Sequence, residues 1–346
     1  MTDIELWLAL SLCKIPFKKI KERLEDRTFL EFLIKGFCDR NYIKLDEKVK
    51  STINFAEKTN TELIPYISKK YPESLKHLND PPVLLYCKGN VDLLKSEKII
   101  SIVGSRRATA YGKSQVIEFS KQLSSFGFTI VSGLARGIDE YAHRSCLEVG
   151  GKTIAVLGNG LDIFYPIENR ELQIEISETG LLVSEYSFKE SPTTYSFPQR
   201  NRIIAALSKG ILVVEAEKKS GALLTASFSL DLGRDVFSLP GPVNSPKSFG
   251  TNTLIRNGAI LVRSFEDILD EFGYKIVKEN YKQEQLDILT PHEERVLSCL
   301  NSTSYTPFEL ISSKIEDLKP QDLILILTEL TLKNKIEEFG GSYKIL

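Results

Sequence analysis

The sequence predicts an α/β protein with a Rossmann-like, mostly parallel sheet that is covered by helices on both faces. From about residue 98 onward, short runs rich in β-branched residues alternate with amphipathic segments. A glycine follows each predicted helix, at residues 127, 150, 180, 210, 233 and 258, and glycine is typical of a helix end. Such regular alternation indicates a parallel sheet. The predicted strands span residues 99–104, 128–133, 153–158, 181–186, 211–216, 236–241 and 259–263.

Further regions flank this sheet and complete the predicted domain organisation. Residues 1–75 are lysine-rich, with apolar residues at helical spacing, and predict an N-terminal helical domain of the SAM-like or helix-hairpin-helix-like kind. The Rossmann-like domain is predicted over residues 76–275, followed by a polar linker over residues 276–289. Residues 290–346 predict three helices and a β-hairpin that turns at Gly340-Gly341. This order of elements predicts a winged-helix domain.

The stretch IISIVGSRRATAYGKS, residues 99–114, indicates an anion site after the first of the seven predicted strands. A Walker loop would need its first glycine at position 107, which is Arg107. A dinucleotide fingerprint would need glycines at positions 104, 106 and 109, but Arg106 and Thr109 occupy the last two. The remaining features are a strand, a turn with guanidinium groups and a helix N-terminus, which together favour a phosphate.

Cationic residues concentrate in the loops that follow the predicted strands. The whole chain is nearly neutral, with 45 Lys and Arg against 46 Asp and Glu. In contrast, residues 104–113, 191–209 and 240–258 contain cations and no acid. Because the carboxyl ends of parallel strands meet at one edge, we expect a basic edge that binds a polyanion. The cations concerned are Arg106, Arg107, Lys113, Arg136, Arg200, Arg202, Lys209, Lys247 and Arg256.

The stretch YSFPQRNR, residues 195–202, places aromatic residues beside arginines. Tyr195 and Phe197 could stack on bases while Arg200 and Arg202 contact phosphates, a combination typical of single-strand binding. The alternative is that Phe197 belongs to the core and that both arginines pair with helix acids. We favour binding, because these three acid-free loops and the loop that carries Arg136 converge on the same edge.

Other features of the sequence exclude several functional classes. The five cysteines are odd in number and widely spaced, which predicts reduced thiols and a cytoplasmic protein. Acidic residues near Met1 argue against a signal peptide, and no apolar run is long enough to span a membrane. No metal-ligand pair or catalytic triad is visible, so we expect neither a cofactor nor catalysis. Glu185 and Glu215 end predicted strands, and we expect them to hydrogen-bond the arginines.

An ordered set of motifs resembles the DNA processing protein A (DprA/Smf) family across roughly residues 75–270. Each motif alone is weak, but the set in this order is highly specific. The matching stretches are DPPVLLYCKGN, IVGSRRATAYG, VSGLARGIDEYAH, TIAVLGNGLDIFYP, LLVSEY, FPQRNRIIAALS, VVEAEKKSGALLTA, FSLPG and GTNTLIRNGA.

The resemblance implies a non-catalytic, single-stranded DNA-binding recombination mediator. Members of this family protect DNA that enters the cell in natural transformation and load the bacterial strand-exchange recombinase onto it. They work as homodimers through the Rossmann-like domain. Together with Arg107 and Lys247 from the charge pattern, the residues implied to bind DNA are Gly104, Ser105, Arg106, Ser132, Gly133, Arg136, Gly137, Phe197, Arg200, Asn201, Arg202, Ser220, Gly221 and Thr225.

One departure from the family pattern and two alternative functions leave other interpretations open. Residues 290–346 contain six Lys and Arg against nine Asp and Glu, so the predicted winged helix favours a protein contact over DNA. A nucleotide-processing enzyme of the phosphoribohydrolase kind is the alternative function, but its Pro-Gly-Gly-x-Gly-Thr-x-x-Glu element is incomplete in PGPVNSPKSFGTN. A scaffold protein unrelated to transformation is a third interpretation.

Overall fold

The structure, a computed structural model, describes residues 1–38, 42–274, 290–301, 304–315, 318–332 and 335–346. The chain divides into two compact units, Met1–Tyr274 and Lys275–Leu346. The predicted linker at residues 276–289 lies outside the described residues. The domain limits predicted from the sequence stay predictions, because the first unit includes both residues 1–75 and the Rossmann-like region.

The first unit contains a nine-stranded sheet, counted over its described residues. Its strands are β1 (Thr61–Pro65), β2 (Leu84–Gly89), β3 (Ile99–Val103), β4 (Thr129–Ser132), β5 (Lys152–Leu157), β6 (Leu181–Ser184), β7 (Gly210–Val213), β8 (Asp235–Ser238) and β9 (Ile260–Leu261). Their order across the sheet is β1-β2-β6-β5-β4-β3-β7-β8-β9. Strands β3 to β9 are mutually parallel, and β1 and β2 add an antiparallel edge. The predicted α/β, mostly parallel sheet is therefore confirmed.

Helices cover both faces of this sheet. They are α1 (Asp3–Leu12), α2 (Arg27–Cys38), α3 (Tyr42–Lys58), α4 (Glu73–Lys76), α5 (Ala110–Ser125), α6 (Ile138–Glu148), α7 (Arg170–Thr179), α8 (Ser196–Leu207), α9 (Gly221–Asp231), α10 (Phe249–Arg256) and α11 (Phe265–Glu271). The side chains of strand β5 contact both helical layers, because successive side chains of a strand point to opposite faces of the sheet. Ile154 and Val156 belong to the apolar core that includes α8 and α9. Ala155 and Leu157 belong to the core that includes α1 and α7.

The N-terminal region packs on the second of these faces. Helix α1 begins at Asp3 because Thr2 and Glu5 form a capping box, in which each side chain accepts the other residue's backbone N–H. Residues 61–65 form strand β1 and pair with β2, so the prediction that this region is helical is wrong for them. Hydrogen bonding to a distant strand decides that conformation, and local spacing does not reveal it.

One cysteine differs from the sequence prediction. Cys87, Cys146 and Cys299 are free, but Cys13 is disulfide-bonded. The prediction of five reduced thiols is therefore wrong for Cys13. Spacing along the chain cannot reveal such a bond, because it depends on which Cα atoms the fold brings within reach.

The strand order reverses beside β3. From β3 the chain builds β4, β5 and β6 on one side, and it then crosses to β7, β8 and β9 on the other. The loops that leave the carboxyl ends of β3 and β7 therefore run to opposite faces of the sheet. In open parallel sheets the crevice at such a switch point is the usual ligand site.

The second unit is a small α+β arrangement. Its elements are α12 (Pro291–Ser298), β10 (Thr306–Pro307), α13 (Phe308–Lys314), α14 (Pro320–Leu332), β11 (Ile336–Phe339) and β12 (Ser342–Ile345). The strands form an antiparallel sheet in the order β10-β12-β11. Helix α14 carries no Lys or Arg between its two ends, and it exposes Ile324 and Leu325. The winged-helix assignment of this unit stays a prediction.

Candidate nucleic-acid interface

A cleft of about 660 Å³ lies at the switch point between β3 and β7. We call it the switch-point cleft. It is lined by the loop after β3, the loop after β7, the first turns of α8 and α9, and the loop between β8 and α10. The sequence-predicted residues that line it are Gly104, Ser105, Arg106, Arg107, Phe197, Arg200, Asn201, Ser220, Gly221, Thr225 and Lys247.

A smaller hollow of about 210 Å³, the Arg136 hollow, shares part of its wall with the switch-point cleft. Gly133 and Arg136 line it, together with Arg106, Phe197 and Arg200 from the cleft. The structure thus brings together thirteen of the sixteen residues predicted for DNA binding. The other three, Ser132, Gly137 and Arg202, have other positions and are described below.

The loop after β3 depends on close backbone contacts. A Cβ on Gly104 would lie 2.7 Å from the Ile138 side chain, so only glycine fits there. Thr109 caps α5 by accepting the Gly112 N–H. The buried Glu215 carboxylate in turn accepts hydrogen bonds from the Thr109 N–H, at 3.0 Å, and from its hydroxyl. Glu215 therefore holds the start of α5, which corrects the expectation that it hydrogen-bonds an arginine.

Arg200 is a buried cation behind the cleft. Its Nη1 donates to the carbonyl oxygens of Gly133, which follows β4, and of Val156, near the end of β5. A Cβ on Gly133 would lie 2.4 Å from Arg200 Nη1, so the absence of a side chain there makes room for the guanidinium. Burial lowers the pKa of Arg200 to about 10, so the side chain stays charged at neutral pH. Desolvation raises the pKa of the neighbouring buried Asp139, and the Arg200 charge opposes that shift.

Aromatic side chains form one wall of the cleft. The Arg106 guanidinium lies 5.1 Å from the centre of the Phe197 ring, within cation–π range. Phe197 also packs against Tyr165, with 5.4 Å between ring centres. Tyr165 lines both the cleft and the hollow, although sequence reasoning missed it. Tyr195, which was predicted to stack on bases, is exposed but lines a different cleft.

Two exposed carboxylates contact cations of the site. Lys247 Nζ donates to Glu217 at 2.5 Å and to the Ser105 hydroxyl at 3.0 Å. Arg136 pairs with Glu168 at 2.6 Å at the edge of the hollow. The hydrogen bond from Lys247 holds the pKa of Glu217 below its usual range, and Arg136 has the same effect on Glu168. Glu217 stands in the loop after β7, outside the three acid-free stretches of the sequence.

The N-terminus of α9 opens into the cleft. The Ser220 side chain caps this helix by accepting the Ala222 N–H, and Gly221 has open space around its Cα. The amide of Asn201 reaches across from α8 to the Gly221 carbonyl. Because the first N–H groups of a helix lack intrahelical partners, this end favours an anion.

The charged side chains that line the cleft are four cations and two acids, a net charge of +2. The cations are Arg106, Arg107, Arg200 and Lys247, and the acids are Asp139 and Glu217. The predicted basic edge therefore has its centre in this cleft. Among the described residues, no group of His, Cys, Asp or Glu has a metal-binding arrangement. In the same part of the chain, no helix has the length and apolar character needed to cross a membrane.

Three predicted residues line neither the switch-point cleft nor the Arg136 hollow. Ser132 is buried and donates to the Ile102 carbonyl, so it joins neighbouring strands. Gly137 precedes α6 with a φ of +78°, and its Cα packs on the loop after β3, where a Cβ would lie 2.4 Å from the Ser105 carbonyl oxygen. Arg202 lines a separate cleft and pairs with Glu185 at 2.6 Å. In the free protein Arg202 is therefore held in an ion pair, and its role as a phosphate contact stays a prediction.

This fold and this cleft define a Rossmann-like α/β protein with a basic, aromatic-walled crevice at a topological switch point. Residues 62–273 match the family model described as DNA recombination-mediator protein A, and the chain belongs to that family. Protein Smf of Escherichia coli is 39% identical, in a match that covers 99% of this chain and 96% of the relative. DNA processing protein DprA of Streptococcus pneumoniae is 47% identical, covering 59% of this chain and 72% of the relative.

Solved structures of the same family resemble this chain. The crystal structure of DprA from Streptococcus pneumoniae matches with a TM-score of 0.60 and 40% identity, over 69% of this chain and 85% of that one. A structure that describes the single-stranded DNA binding mode of DprA from Helicobacter pylori matches with a TM-score of 0.56 and 33% identity. That match covers 61% of this chain and 95% of the other. The resemblance to the DprA/Smf family is therefore confirmed.

Proposed function

We propose that this protein binds single-stranded DNA in the switch-point cleft. The observation that carries the proposal is the convergence of Arg106, Arg107 and Lys247 with the N-terminus of α9 around one crevice, beside the ring of Phe197. A cationic groove that follows the backbone, together with an aromatic surface for bases, is the combination that binds unpaired strands. The binding mode described for the Helicobacter pylori relative supports the same ligand.

Each part of the cleft has a role in this proposal. The loop after β3 and the first N–H groups of α9 hold phosphates, with Lys247 between them. Phe197 offers its face to a base when the Arg106 guanidinium moves from the ring to a phosphate. Arg200 is already bound to two carbonyls, so it contributes a fixed positive charge from below the cleft.

Membership of the family supports a role in recombination. We propose that the protein protects incoming DNA in the cytoplasm during natural transformation and loads the strand-exchange recombinase onto it. In this proposal it acts as a homodimer through the Rossmann-like domain and carries out no catalysis. Co-purification of the recombinase with the DNA-bound protein tests the loading role, and sedimentation of the free protein tests the dimer.

The change Arg106→Ala tests the cleft. Fluorescence anisotropy with labelled oligothymidylate, measured over a series of salt concentrations, should show binding about fivefold weaker near 0.1 M salt. The slope of log affinity against log salt should fall by about 0.7, because one phosphate contact is lost.

The matched control is Arg263→Ala. Arg263 is 78% exposed and follows β9 at the far edge of the sheet, where it pairs with Asp267. This control should bind like the wild type. Equal binding by both variants, or a stronger preference for duplex than for single-stranded DNA, would contradict the proposal.

A further inference from the structure

The ammonium group of Lys247 already has an anionic partner inside the switch-point cleft. Lys247 comes from the loop between β8 and α10, and it contacts Ser105 from the loop after β3 and Glu217 from the loop after β7. One side chain therefore links three loops at the crevice. Its side chain is only 19% exposed, whereas that of Glu217 is 56% exposed.

The two acids that line the cleft differ in how firmly they are held. Asp139 is 7% exposed, accepts the Gly133 N–H at 3.2 Å and lies near the Arg200 charge. Moving its carboxylate would leave a buried charge without its partners, which is costly. Glu217 is exposed, so water can solvate its carboxylate as soon as it leaves Lys247.

A DNA phosphate and the Glu217 carboxylate compete for the same ammonium group, that of Lys247. Both are anions that accept hydrogen bonds from an ammonium group, and two anions placed side by side repel each other. This repulsion favours displacement of the exposed carboxylate toward solvent when a phosphate contacts Lys247. This exchange costs little, because the carboxylate is exposed to water and an ion pair of a solvated side chain contributes only about 0–1 kcal/mol.

We propose that Glu217 occupies the place of a DNA phosphate at Lys247 in the free protein, and that an entering strand displaces it. This inference rests on the proposed function, since it concerns the same cleft. Glu217 thereby sets the affinity of the cleft, lowering it so that a bound strand can be released to another protein. The carboxylate also keeps Lys247 directed toward Ser105 before DNA arrives.

The change Glu217→Gln tests this exchange in the full-length protein. Labelled oligothymidylate should bind up to about fivefold more tightly, because its phosphate no longer competes with a carboxylate. The gain should shrink as salt is raised, since the competing ion pair is itself screened. The matched control is Glu62→Gln, which removes another exposed lysine–glutamate pair at 2.7 Å on the distant edge strand β1. The control should bind like the wild type.

A double-mutant cycle separates exchange at Lys247 from general repulsion of DNA. In the Lys247→Ala background, Glu217→Gln should change the affinity for oligothymidylate by less than about twofold. The phosphate and the carboxylate then no longer compete for an ammonium group. An unchanged or weaker affinity of Glu217→Gln in the otherwise wild-type protein overturns the inference and leaves the proposed function standing. An equal gain in both backgrounds also overturns it. Failure of the wild type to bind oligothymidylate overturns both this inference and the proposed function.

Discussion

A buried arginine needs carbonyl or carboxylate partners, because an unpaired buried charge is costly. Arg200 finds its partners in the carbonyls of Gly133 and Val156, and Arg202 finds its partner in Glu185. The two residues are separated by two positions on α8, and successive helical residues are about 100° apart around the axis. They therefore point about 200° apart. One supports the switch-point cleft, and the other lines a different cleft.

Gly133→Ala should destabilise the protein and weaken DNA binding. The new methyl group would lie 2.4 Å from the Arg200 guanidinium, which is fixed by two carbonyls and cannot move aside without losing them. We expect a loss of about 1–3 kcal/mol in the free energy of unfolding, the usual cost of overpacking. Urea unfolding measures this loss, and oligothymidylate binding measures the effect on the cleft.

Gly36→Ala is the control for this prediction. A Cβ on Gly36 meets no atom within 4 Å, and the residue lies within α2. Alanine should leave the stability unchanged or raise it by up to about 1 kcal/mol, because it favours a helix more than glycine does. Equal stability of the two variants would show that the Arg200 guanidinium can move away from the new methyl group without loss of stability.

Helix α6 carries a buried histidine that faces β5. His143 is fully buried, and its Nδ1 lies 2.6 Å from the Thr153 hydroxyl oxygen. That hydroxyl donates its own hydrogen to the Ile130 carbonyl, so Nδ1 carries the hydrogen and donates to Thr153. Burial, together with the Arg200 charge, lowers the pKa of His143 to about 3. The helix therefore packs on the sheet only with a neutral imidazole.

This arrangement predicts a pH dependence of stability. In the unfolded chain His143 binds a proton below about pH 6.5, whereas in the folded protein it stays neutral down to about pH 3. The unfolded state therefore binds more protons in that window, and stability falls as the pH falls through it. Between pH 7.5 and pH 5.5 the contribution of His143 should be a loss of about 1.4 kcal/mol.

Comparison with His143→Gln isolates this contribution from that of the acidic residues. Glutamine does not titrate. The free energy of unfolding in urea should therefore differ between wild type and variant by about 1.4 kcal/mol less at pH 5.5 than at pH 7.5. His77→Gln provides the control, since His77 is exposed on the surface. A wild type and His143→Gln variant with parallel pH profiles would contradict a buried neutral imidazole.

At the scale of elements, the sequence predicted each parallel strand from its apolar, β-branched run. It treated residues 191–209 as one of the acid-free loops, although this stretch contains all of α8. In the structure α8 begins at Ser196, and a proline in the first turn is compatible with a helix because its missing N–H would have no intrahelical partner. Helical geometry for these residues would have predicted that Arg200 and Arg202 point in different directions.

At the scale of the whole molecule, the residues that line the switch-point cleft and the Arg136 hollow all belong to the first compact unit. The second unit is acidic, with nine Asp and Glu against six Lys and Arg over residues 290–346. Its helix α14 has no cation between its two ends. Contacts with phosphates are therefore expected from the first unit alone.

A chain that ends at residue 274 should consequently bind oligothymidylate within about twofold of the full-length protein, with the same salt slope, because the number of neutralised phosphates is unchanged. Anisotropy titrations of both chains, each also tested with Arg106→Ala, provide the comparison. A tenfold loss of affinity on truncation would assign phosphate contacts to the second unit.

The sequence by itself determined the alternation of strands and helices and the loops that hold the cations, because both follow from local spacing and composition. It also determined that Gly104, Arg106 and Arg107 follow a buried strand. Only the tertiary structure decided which cations share a crevice, because the crossover from β6 to β7 brings loops together that are over a hundred residues apart. It also decided which charges are already neutralised, since Glu185 and Glu217 meet their partners only in the folded chain.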